Sequence, residues 1–132
     1  ITFSTTVQSI FLADAATGGN LPAKVSGWGS TSEDKGPTSN TLRTLDVRTI
    51  TNPECRDLHD QFNAVRISEN MICTNNVPGE GFCTTGEGGP LVWNSQLIGI
   101  ASWNVPCAQG YPVISKLHNY DFLLIFLIRM FT

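Results

Sequence analysis

The cysteines, the histidines and two threonines of a predicted loop are candidates for covalent or acid–base chemistry in this sequence. The chain has four cysteines and two histidines, and a glycine-rich loop predicted over residues 75–88 holds the hydroxyls of Thr84 and Thr85. A hydroxyl becomes an effective nucleophile when a base lies within hydrogen-bond distance of it. We find no base placed to serve either threonine, so we expect both to be ordinary loop residues. His59 and His118 are expected to be surface residues without a catalytic role.

The four cysteines indicate the cellular compartment of the protein more clearly than they indicate a reaction. Two disulfides would place the chain in a secretory compartment, whereas four buried free thiols would suit a cytosolic protein. Spacing alone permits three ways of pairing them. No two cysteines form a CxxC motif and no histidine stands at a zinc-finger spacing from them, so we predict no metal and no cofactor. The four residues are Cys55, Cys73, Cys83 and Cys107.

Composition limits the class of protein further. The chain has 132 residues and a mass of 14.4 kDa, which is enough for one domain and its core. Charged residues make up 14% of it, below the ~25% typical of soluble domains. The net charge is −3 and no basic stripe is present, which argues against nucleic-acid binding. The chain begins at Ile1 with no signal peptide, so we expect either a removed leader or a longer parent protein.

Short apolar runs alternate with turns rich in glycine and proline, a pattern that predicts a β-rich domain. Residues 6–13 are predicted to be an extended segment or linker. The pair Asn94-Ser95 is predicted to join two strands as a hairpin. Strand after short strand at regular spacing favours an all-β antiparallel barrel or a sandwich. The predicted strands cover residues 23–29, 42–50, 71–74, 90–93, 96–103 and 112–117.

Two helices are expected beside these strands. The first runs from residue 52 to about residue 59, with Thr51 or Asn52 as its N-terminal cap. The second is a C-terminal helix over residues 122–131, too short to span a bilayer, which takes about 20 residues. Apart from Arg129 this tail is apolar on every side, which is unusual for a surface helix. Two alternatives stay open: an interface element, or a sequence artefact such as a shifted reading frame.

Three stretches, taken together, carry a resemblance to a known family. Residues 25–29 (V-S-G-W-G) resemble the S-G-W-G strand of the chymotrypsin-like serine proteases. Residues 83–92 (C-T-T-G-E-G-G-P-L-V) resemble the family's C-x-G-D-S-G-G-P-L-V nucleophile loop, and residues 98–112 resemble the strand and loop that follow it. In this order and at these spacings, the three stretches identify the chain as a member of the chymotrypsin/trypsin-like family over roughly residues 1–121.

The resemblance implies a fold and its division into parts. Residues 14–121 would be the second of the family's two antiparallel β-barrels, with the inter-barrel linker at residues 1–13 and the apolar tail at residues 122–132. The first barrel, which with its end carries the family's catalytic histidine and aspartate, is absent from this sequence. We therefore expect a truncated form whose open inter-barrel face, of the order of 600–1,500 Å², promotes self-association. The implied disulfides are Cys55–Cys73 and Cys83–Cys107.

The resemblance also assigns the catalytic positions of the nucleophile loop. Glu87 stands at the nucleophile position where the family has serine, Gly86 stands where it has aspartate, and Thr85 replaces the oxyanion-hole glycine. Glu87 is a poor acyl-transfer nucleophile, Gly86 cannot pair with a freed N-terminal amine, and a β-branched Thr85 resists a positive φ. An alignment that moves Gly86 to the oxyanion position needs a compensating deletion and still leaves no serine. We therefore predict that the chain is catalytically inactive as written.

The substrate pocket implied by the resemblance involves four residues. Its base is Gly81, whereas a preference for Lys or Arg needs a carboxylate there, so the pattern is closer to the chymotrypsin- or collagenase-like branch than to trypsin. Ser102 and Trp103 would form one wall, although a large aromatic residue in a strand is often simply part of a core. Asn104 stands where a glycine usually keeps the pocket mouth open.

Three functions are consistent with these observations. The first is a secreted pseudoprotease that binds a peptide or protein ligand. The second is an incomplete form of an active secreted serine endopeptidase, which would explain both the start within the fold and the apolar tail. The third, ranked last, is a membrane-surface or partner anchor formed by the tail. Expected partners are a peptide or protein ligand, the family's N-terminal barrel or a second copy of the chain, with no nucleic acid and no membrane span.

Overall fold

The computed structural model describes residues 2–13, 18–30, 38–59, 67–75, 88–103, 113–116 and 126–128, and for His59, Trp103 and the last two ranges it describes the backbone only. The regular structure of these parts consists of nine strands and one helix. In chain order the elements are β1 (Val7–Ser9), β2 (Phe11–Leu12), β3 (Pro22–Gly27), β4 (Arg43–Ile50), α1 (Asn52–His59), β5 (Met71–Asn75), β6 (Pro90–Trp93), β7 (Gln96–Trp103), β8 (Val113–Lys116) and β9 (Phe126–Ile128).

Six of these strands form a closed antiparallel barrel. Their order around the ring is β7-β6-β3-β4-β5-β8, and β8 pairs with β7 to complete it. Closure leaves the six strands without an open edge, which is how barrels avoid pairing with other chains. The short strand β2 joins β7 in parallel, where Phe11 faces Gln96 and Leu12 faces Leu97 in register. The all-β antiparallel barrel predicted from the sequence is confirmed.

The turn between β6 and β7 confirms the predicted hairpin. Asn94 and Ser95 both adopt positive φ angles, of 48° and 60°. A two-residue loop with both central residues in the left-handed region is a type I′ turn, which matches the natural twist of antiparallel strands. Asparagine tolerates this conformation better than most residues do.

Alternation of side chains along the strands builds the barrel core. Ala23 and Val25 of β3 are buried while Lys24 between them is exposed, and on β4 Val47 is buried between two exposed residues. This period of two is the geometry of a strand with one face on a core. The main buried cluster consists of Ala23, Val25, Val47, Ile72, Leu91, Ile98 and Ala101.

Thr49 is a buried polar side chain that fixes the chain entering β3. Its hydroxyl donates a hydrogen bond to the carbonyl of Gly18 at 2.9 Å and accepts one from the N–H of Leu21 at 2.9 Å. The N–H of Thr49 also donates to the carbonyl of Leu21 at 3.0 Å. Only 1% of Thr49 is exposed, so water cannot replace these hydrogen bonds if the hydroxyl is removed.

A disulfide attaches helix α1 to the barrel. Cys55 of α1 is bonded to Cys73 of β5, with their Cα atoms 6.1 Å apart and a sequence separation of 18. Both residues are fully buried in a second apolar cluster with Ile67. A loop of this size is worth about 3 kcal/mol in the chain-entropy view of disulfides. This pairing is one of the two implied by the family resemblance; the other, Cys83–Cys107, lies outside the described residues.

The start of α1 is fixed by a reciprocal capping box. The N–H and hydroxyl of Thr51 donate to the Glu54 carboxylate at 2.8 and 2.6 Å, and the N–H of Glu54 donates to the Thr51 hydroxyl at 3.3 Å. This arrangement satisfies backbone donors that a helix start leaves unpaired. Thr51, and not Asn52, is therefore the cap. The Asn52 amide instead donates to the carbonyl of Ser68 at 3.0 Å.

The tail contradicts the predicted C-terminal helix. Residues 126–128 form strand β9, which pairs antiparallel with β1 so that Gln8 faces Leu127 in register. Phenylalanine and isoleucine favour extended backbone, and the run lacks the one-sided apolar stripe that stabilises a surface helix. The edge of β1 also supplies backbone partners for β9. The remaining residues of the predicted helix lie outside the described parts of the chain.

Replacing Thr49 with valine tests the buried hydroxyl. We expect Thr49→Val to lower the free energy of unfolding by about 1–3 kcal/mol, because it leaves the Gly18 carbonyl and the Leu21 N–H without their partner. Thr44→Val is the matched control, since Thr44 is exposed on the same strand and should change stability by no more than about 0.5 kcal/mol. Urea unfolding measures both, and equal effects would contradict this account of Thr49.

The capping box predicts a pH dependence of stability. The hydrogen bonds from Thr51 lower the pKa of Glu54 below its ordinary value of 4.5. A carboxyl whose pKa is lower in the folded state stabilises the protein above its unfolded pKa, and that contribution is lost as pH falls through the folded pKa. We therefore expect Glu54→Gln to flatten the stability profile below about pH 4.5.

Two variants of the cap separate this effect from the general acid sensitivity of the protein. Thr51→Ser keeps the hydroxyl donor and should preserve the pH dependence. Thr51→Val removes that donor, leaves the backbone N–H in place, and should reduce the dependence. Urea midpoints measured from acid to neutral pH give the comparison. Identical profiles for the two Thr51 variants would count against the assignment.

Candidate functional site

The structure describes one side of the site implied by the sequence. Ser102 is placed with its side chain, and Trp103 is placed by its backbone. The nucleophile-position residue and its two neighbours, together with the pocket base and the pocket mouth, lie outside the described residues. These are Glu87, Gly86, Thr85, Gly81 and Asn104. Description of the loop begins at Gly88, the residue that directly follows the nucleophile position.

Two hydrogen bonds join the end of the nucleophile loop to the strand of the pocket wall. The N–H of Gly88 donates to the carbonyl of Ala101 at 2.7 Å, and the N–H of Ala101 donates to the carbonyl of Gly89 at 2.8 Å. The residue after Glu87 is therefore bonded to the residue before Ser102. This backbone link brings together the two segments that the sequence assigned to catalysis and to substrate binding.

The conformation of the loop end depends on glycine. Gly88 has a φ of +88°, which side chains with a Cβ rarely adopt, although an added Cβ would find open space there. Gly89 is buried against β7. The chain then enters β6, where Pro90 faces Ile100 and Leu91, which is fully buried, faces Gly99. The loop end is thus held by the barrel core within three residues of Gly88.

A bulge in β7 lies at Ser102, which the sequence predicts to form part of a pocket wall. The pairing of β7 with β8 shifts register between Ala101 and Trp103, so Ser102 has no Cα partner in β8. Such bulges bend a strand and redirect a side chain, and they are common beside functional sites. Ser102 is exposed while its neighbour Ala101 is buried. The bulge therefore places one hydroxyl at the surface next to the loop end.

The described face of the site supplies hydrogen bonds but no acid or base. Residues 88–103 contain no ionisable side chain, so they offer backbone N–H and C=O groups and the hydroxyl of Ser102. Within the residues that the structure describes, no group of three or more His, Cys, Asp or Glu side chains is placed to hold a metal. The described helix is also far from the length and hydropathy that crossing a membrane requires. This face could align an extended backbone or a hydroxyl, and proton transfer would need groups from elsewhere.

Sequence reasoning missed two features of this site. The positive φ of Gly88 had a visible signal, because paired glycines before a strand often mark a tight backbone approach. The bulge at Ser102 had no such signal, since residues 96–103 contain no proline and their glycine lies well before the bulge. The register of β8 creates the bulge, and that register is a property of the closed barrel.

Alanine at Gly88 tests the strained loop end. Gly88→Ala should lower the free energy of unfolding by about 1–2 kcal/mol, because an L-residue is disfavoured at this positive φ. Gly18→Ala is the control, since an added Cβ also meets open space there and the backbone has no positive φ. That change should stay within about 0.5 kcal/mol. If chemical denaturation gives both variants the same stability, backbone strain does not govern position 88.

Comparison with known proteins agrees with this geometry. The family model described as Trypsin matches residues 1–122. The chain is 37% identical to Trypsin alpha-3 of Lucilia cuprina over 113 residues, which is 85% of this chain and 67% of that protein. It is 35% identical to Trypsin iota of Drosophila melanogaster over 113 residues, which is 85% of this chain and 44% of that protein.

A solved structure shares the fold. Neuropsin, described as a serine protease expressed in the limbic system of mouse brain, aligns with a TM-score of 0.74 at 27% identity. The alignment covers 85% of this chain and 50% of neuropsin. The chain thus spans about half the length of that protein, and from 44% to 67% of the two trypsins. The family match, the barrel and the linked loop and strand lead to one conclusion: this chain belongs to the trypsin-like serine protease family.

Proposed function

We propose that this chain is a secreted, non-catalytic member of the family that binds a peptide or protein ligand beside β7. The observation that carries the proposal is the sequence of the nucleophile loop, where Glu87 stands at the nucleophile position. The anchored loop end supports it, because Gly88 is bonded to Ala101 and the nucleophile position is one residue away. Secretion is supported by the disulfide Cys55–Cys73.

The chemistry of a carboxylate explains why Glu87 would not replace serine. Attack of a carboxylate on a peptide bond would give a mixed anhydride, which is higher in energy than the amide it came from. A serine nucleophile gives a more stable ester and is activated by a histidine base that an aspartate orients. Residues 88–103, which form the described face of this site, contain no histidine or carboxylate.

The two positions before Glu87 support the same proposal. The family's oxyanion hole uses backbone N–H groups of this loop, and one such donor is worth about 3 kcal/mol of transition-state stabilisation. Thr85 stands where the family has glycine, and Gly86 provides no carboxylate for an activating ion pair. Three adjacent changes at the reacting centre therefore remove the nucleophile, weaken the oxyanion site and eliminate the activation switch.

Ligand binding needs fewer parts than catalysis. An exposed hydroxyl at Ser102 and the irregular end of β7 offer hydrogen bonds to an extended peptide. Gly81 at the proposed pocket base carries no charge, so the pocket would not select Lys or Arg. With Trp103 as a proposed wall and Asn104 at the mouth, we propose an apolar or small residue of the ligand as its occupant.

A second function rests on the coverage of relatives. The chain spans 44% of Trypsin iota and 50% of neuropsin, so it is also consistent with a part of an active secreted serine endopeptidase. In that case the missing triad residues lie in another part of the protein, and the loop of the working enzyme carries serine. The two functions differ in the residue found at position 87 of the natural protein.

Labelling by a fluorophosphonate, which forms a phosphonate ester with an activated serine as fluoride leaves, tests the non-catalytic assignment. We expect the full chain, which carries Glu87, to remain unlabelled and to show no turnover of amide substrates. The triple variant Thr85→Gly, Gly86→Asp, Glu87→Ser is the matched control that restores the family loop. Without a base it should gain at most weak labelling. Labelling of the unmodified chain, measured by intact mass, would overturn the non-catalytic assignment.

Top-down mass spectrometry of the natural protein, without reduction, decides between the two. Fragments that read Thr-Gly-Glu across residues 85–87 support the non-catalytic member. Fragments that read Gly-Asp-Ser at this place, within a chain much larger than 14.4 kDa, would instead support the active endopeptidase. The same spectrum tests the second disulfide through the mass of the fragment between Cys83 and Cys107.

A further inference from the structure

The ribbon formed by β1 and β9 stands apart from the barrel. The two strands make a two-stranded sheet, whereas the other described strands belong to the seven-stranded sheet. Their pairing is antiparallel, with Val7 facing Ile128 and Ser9 facing Phe126. Two isolated strands are only marginally stable in water. The ribbon therefore needs a further source of stability.

The β1 half of the ribbon is positioned without β9. The hydroxyl of Ser4 accepts hydrogen bonds from the N–H groups of Thr6 at 3.2 Å and Val7 at 3.1 Å, and the N–H of Ser4 donates to the Val7 carbonyl at 2.9 Å. Beyond β1, the N–H of Ala13 donates to the carbonyl of Leu97 in β7 at 3.1 Å. The backbone of β1 is thus held by the Ser4 turn at its N-terminal end, and the chain after β1 is held by the barrel.

Exposed aromatic residues stand on both sides of β1. Phe3 is 57% exposed and Phe11 is 79% exposed, while Gln8 and Ser9 of β1 itself are also exposed. Exposure of such large apolar side chains to water is unfavourable for the monomer. Strand β9, which is the sequence Phe-Leu-Ile, adds more apolar residues to the same region.

We propose that β9 exchanges between two copies of this chain, so that each tail pairs with β1 of the other copy. The preformed edge of β1 accepts the same antiparallel strand from either source, which makes exchange a low-cost route to a dimer. Phe3 and Phe11 are exposed and lie before and after β1 in sequence, so the proposed exchange places them beside the contact between the two copies. This inference does not depend on whether the chain is catalytic.

Cysteine pairing between separate chains tests the exchange. One full-length variant carries Gln8→Cys and a second carries Leu127→Cys, since these positions face each other and opposite Cβ atoms lie about 4.5–5.5 Å apart. After mixing and mild oxidation, we expect a covalent species of twice the 14.4 kDa chain mass that contains one copy of each variant. Gln8→Cys mixed with Thr44→Cys is the control and should give none, because Thr44 is exposed on β4 and pairs with Ser26 of β3, away from β1.

Light scattering on uncrosslinked variants gives an independent measurement. Leu127→Pro should abolish the dimer because proline removes a backbone donor from β9, while Leu127→Val keeps strand propensity and should preserve the dimer. Phe11→Ser should raise the dimer dissociation constant roughly tenfold, as expected for loss of an aromatic anchor. Trp28→Ser is its control, because Trp28 is also exposed, at 48%. Trp28 follows the C-terminal end of β3, whereas β2 lies level with the N-terminal end of that strand.

Several results would overturn the proposal. One is a monodisperse monomer at all concentrations, together with a chain carrying both Gln8→Cys and Leu127→Cys that closes only within itself. Another is a dimer that survives Leu127→Pro, which would mean association through a different surface. Flotation of the unmodified chain with phospholipid vesicles, lost on Leu127→Pro, would assign β9 to a membrane surface instead.

Discussion

Pairing of β7 with β8 closes the ring of six strands, and that closure fixes the strand to which Gly88 is bonded and in which Ser102 lies. An open sheet of the same strands would expose two edges, and β7 would be one of them. In the closed barrel β7 is bonded to β6 on one side and to β8 on the other. Its two faces are also constrained, because Leu97, Ile98 and Ala101 are buried. A strand held in this way can contain a bulge without losing its pairing with both neighbouring strands.

The irregularity at Ser102 and the attachment of Gly88 use this rigidity. Ala101 is buried, accepts a hydrogen bond from Gly88 and donates one to Gly89. The next residue of β7, Ser102, has no partner in β8. Substrate-binding surfaces need such a combination: a backbone that is fixed by the core and a neighbouring residue that is free to face solvent. The barrel therefore provides the geometry of the site, while the side chains of the loop determine its chemistry.

Sequence patterns predicted the parts that depend on local chemistry. The helix start was predicted from Thr51 or Asn52 as its cap, and the structure shows Thr51 in that role with Glu54 as its partner. The hairpin required residues that tolerate positive φ, and Asn94-Ser95 occupies it. The C-terminal tail could not be predicted in this way, because an apolar run of ten residues suits a helix or a strand equally well. The tail's conformation at residues 126–128 is decided by an edge of β1 more than a hundred residues earlier in the chain.

Under the proposed non-catalytic function, the link between Gly88 and Ala101 explains how the fold would remain intact without a serine nucleophile. Both hydrogen bonds use backbone atoms, and both lie after the nucleophile position. The donors and acceptors belong to Gly88, Gly89 and Ala101, so substitutions at residues 85–87 leave the atoms of these two bonds in place. Gly88 is different, because its positive φ is a condition of the attachment itself. Under that proposal, a family member without hydrolytic activity would keep Gly88 and Gly89 and could vary at the three residues before them, and this sequence has Thr85, Gly86 and Glu87 there.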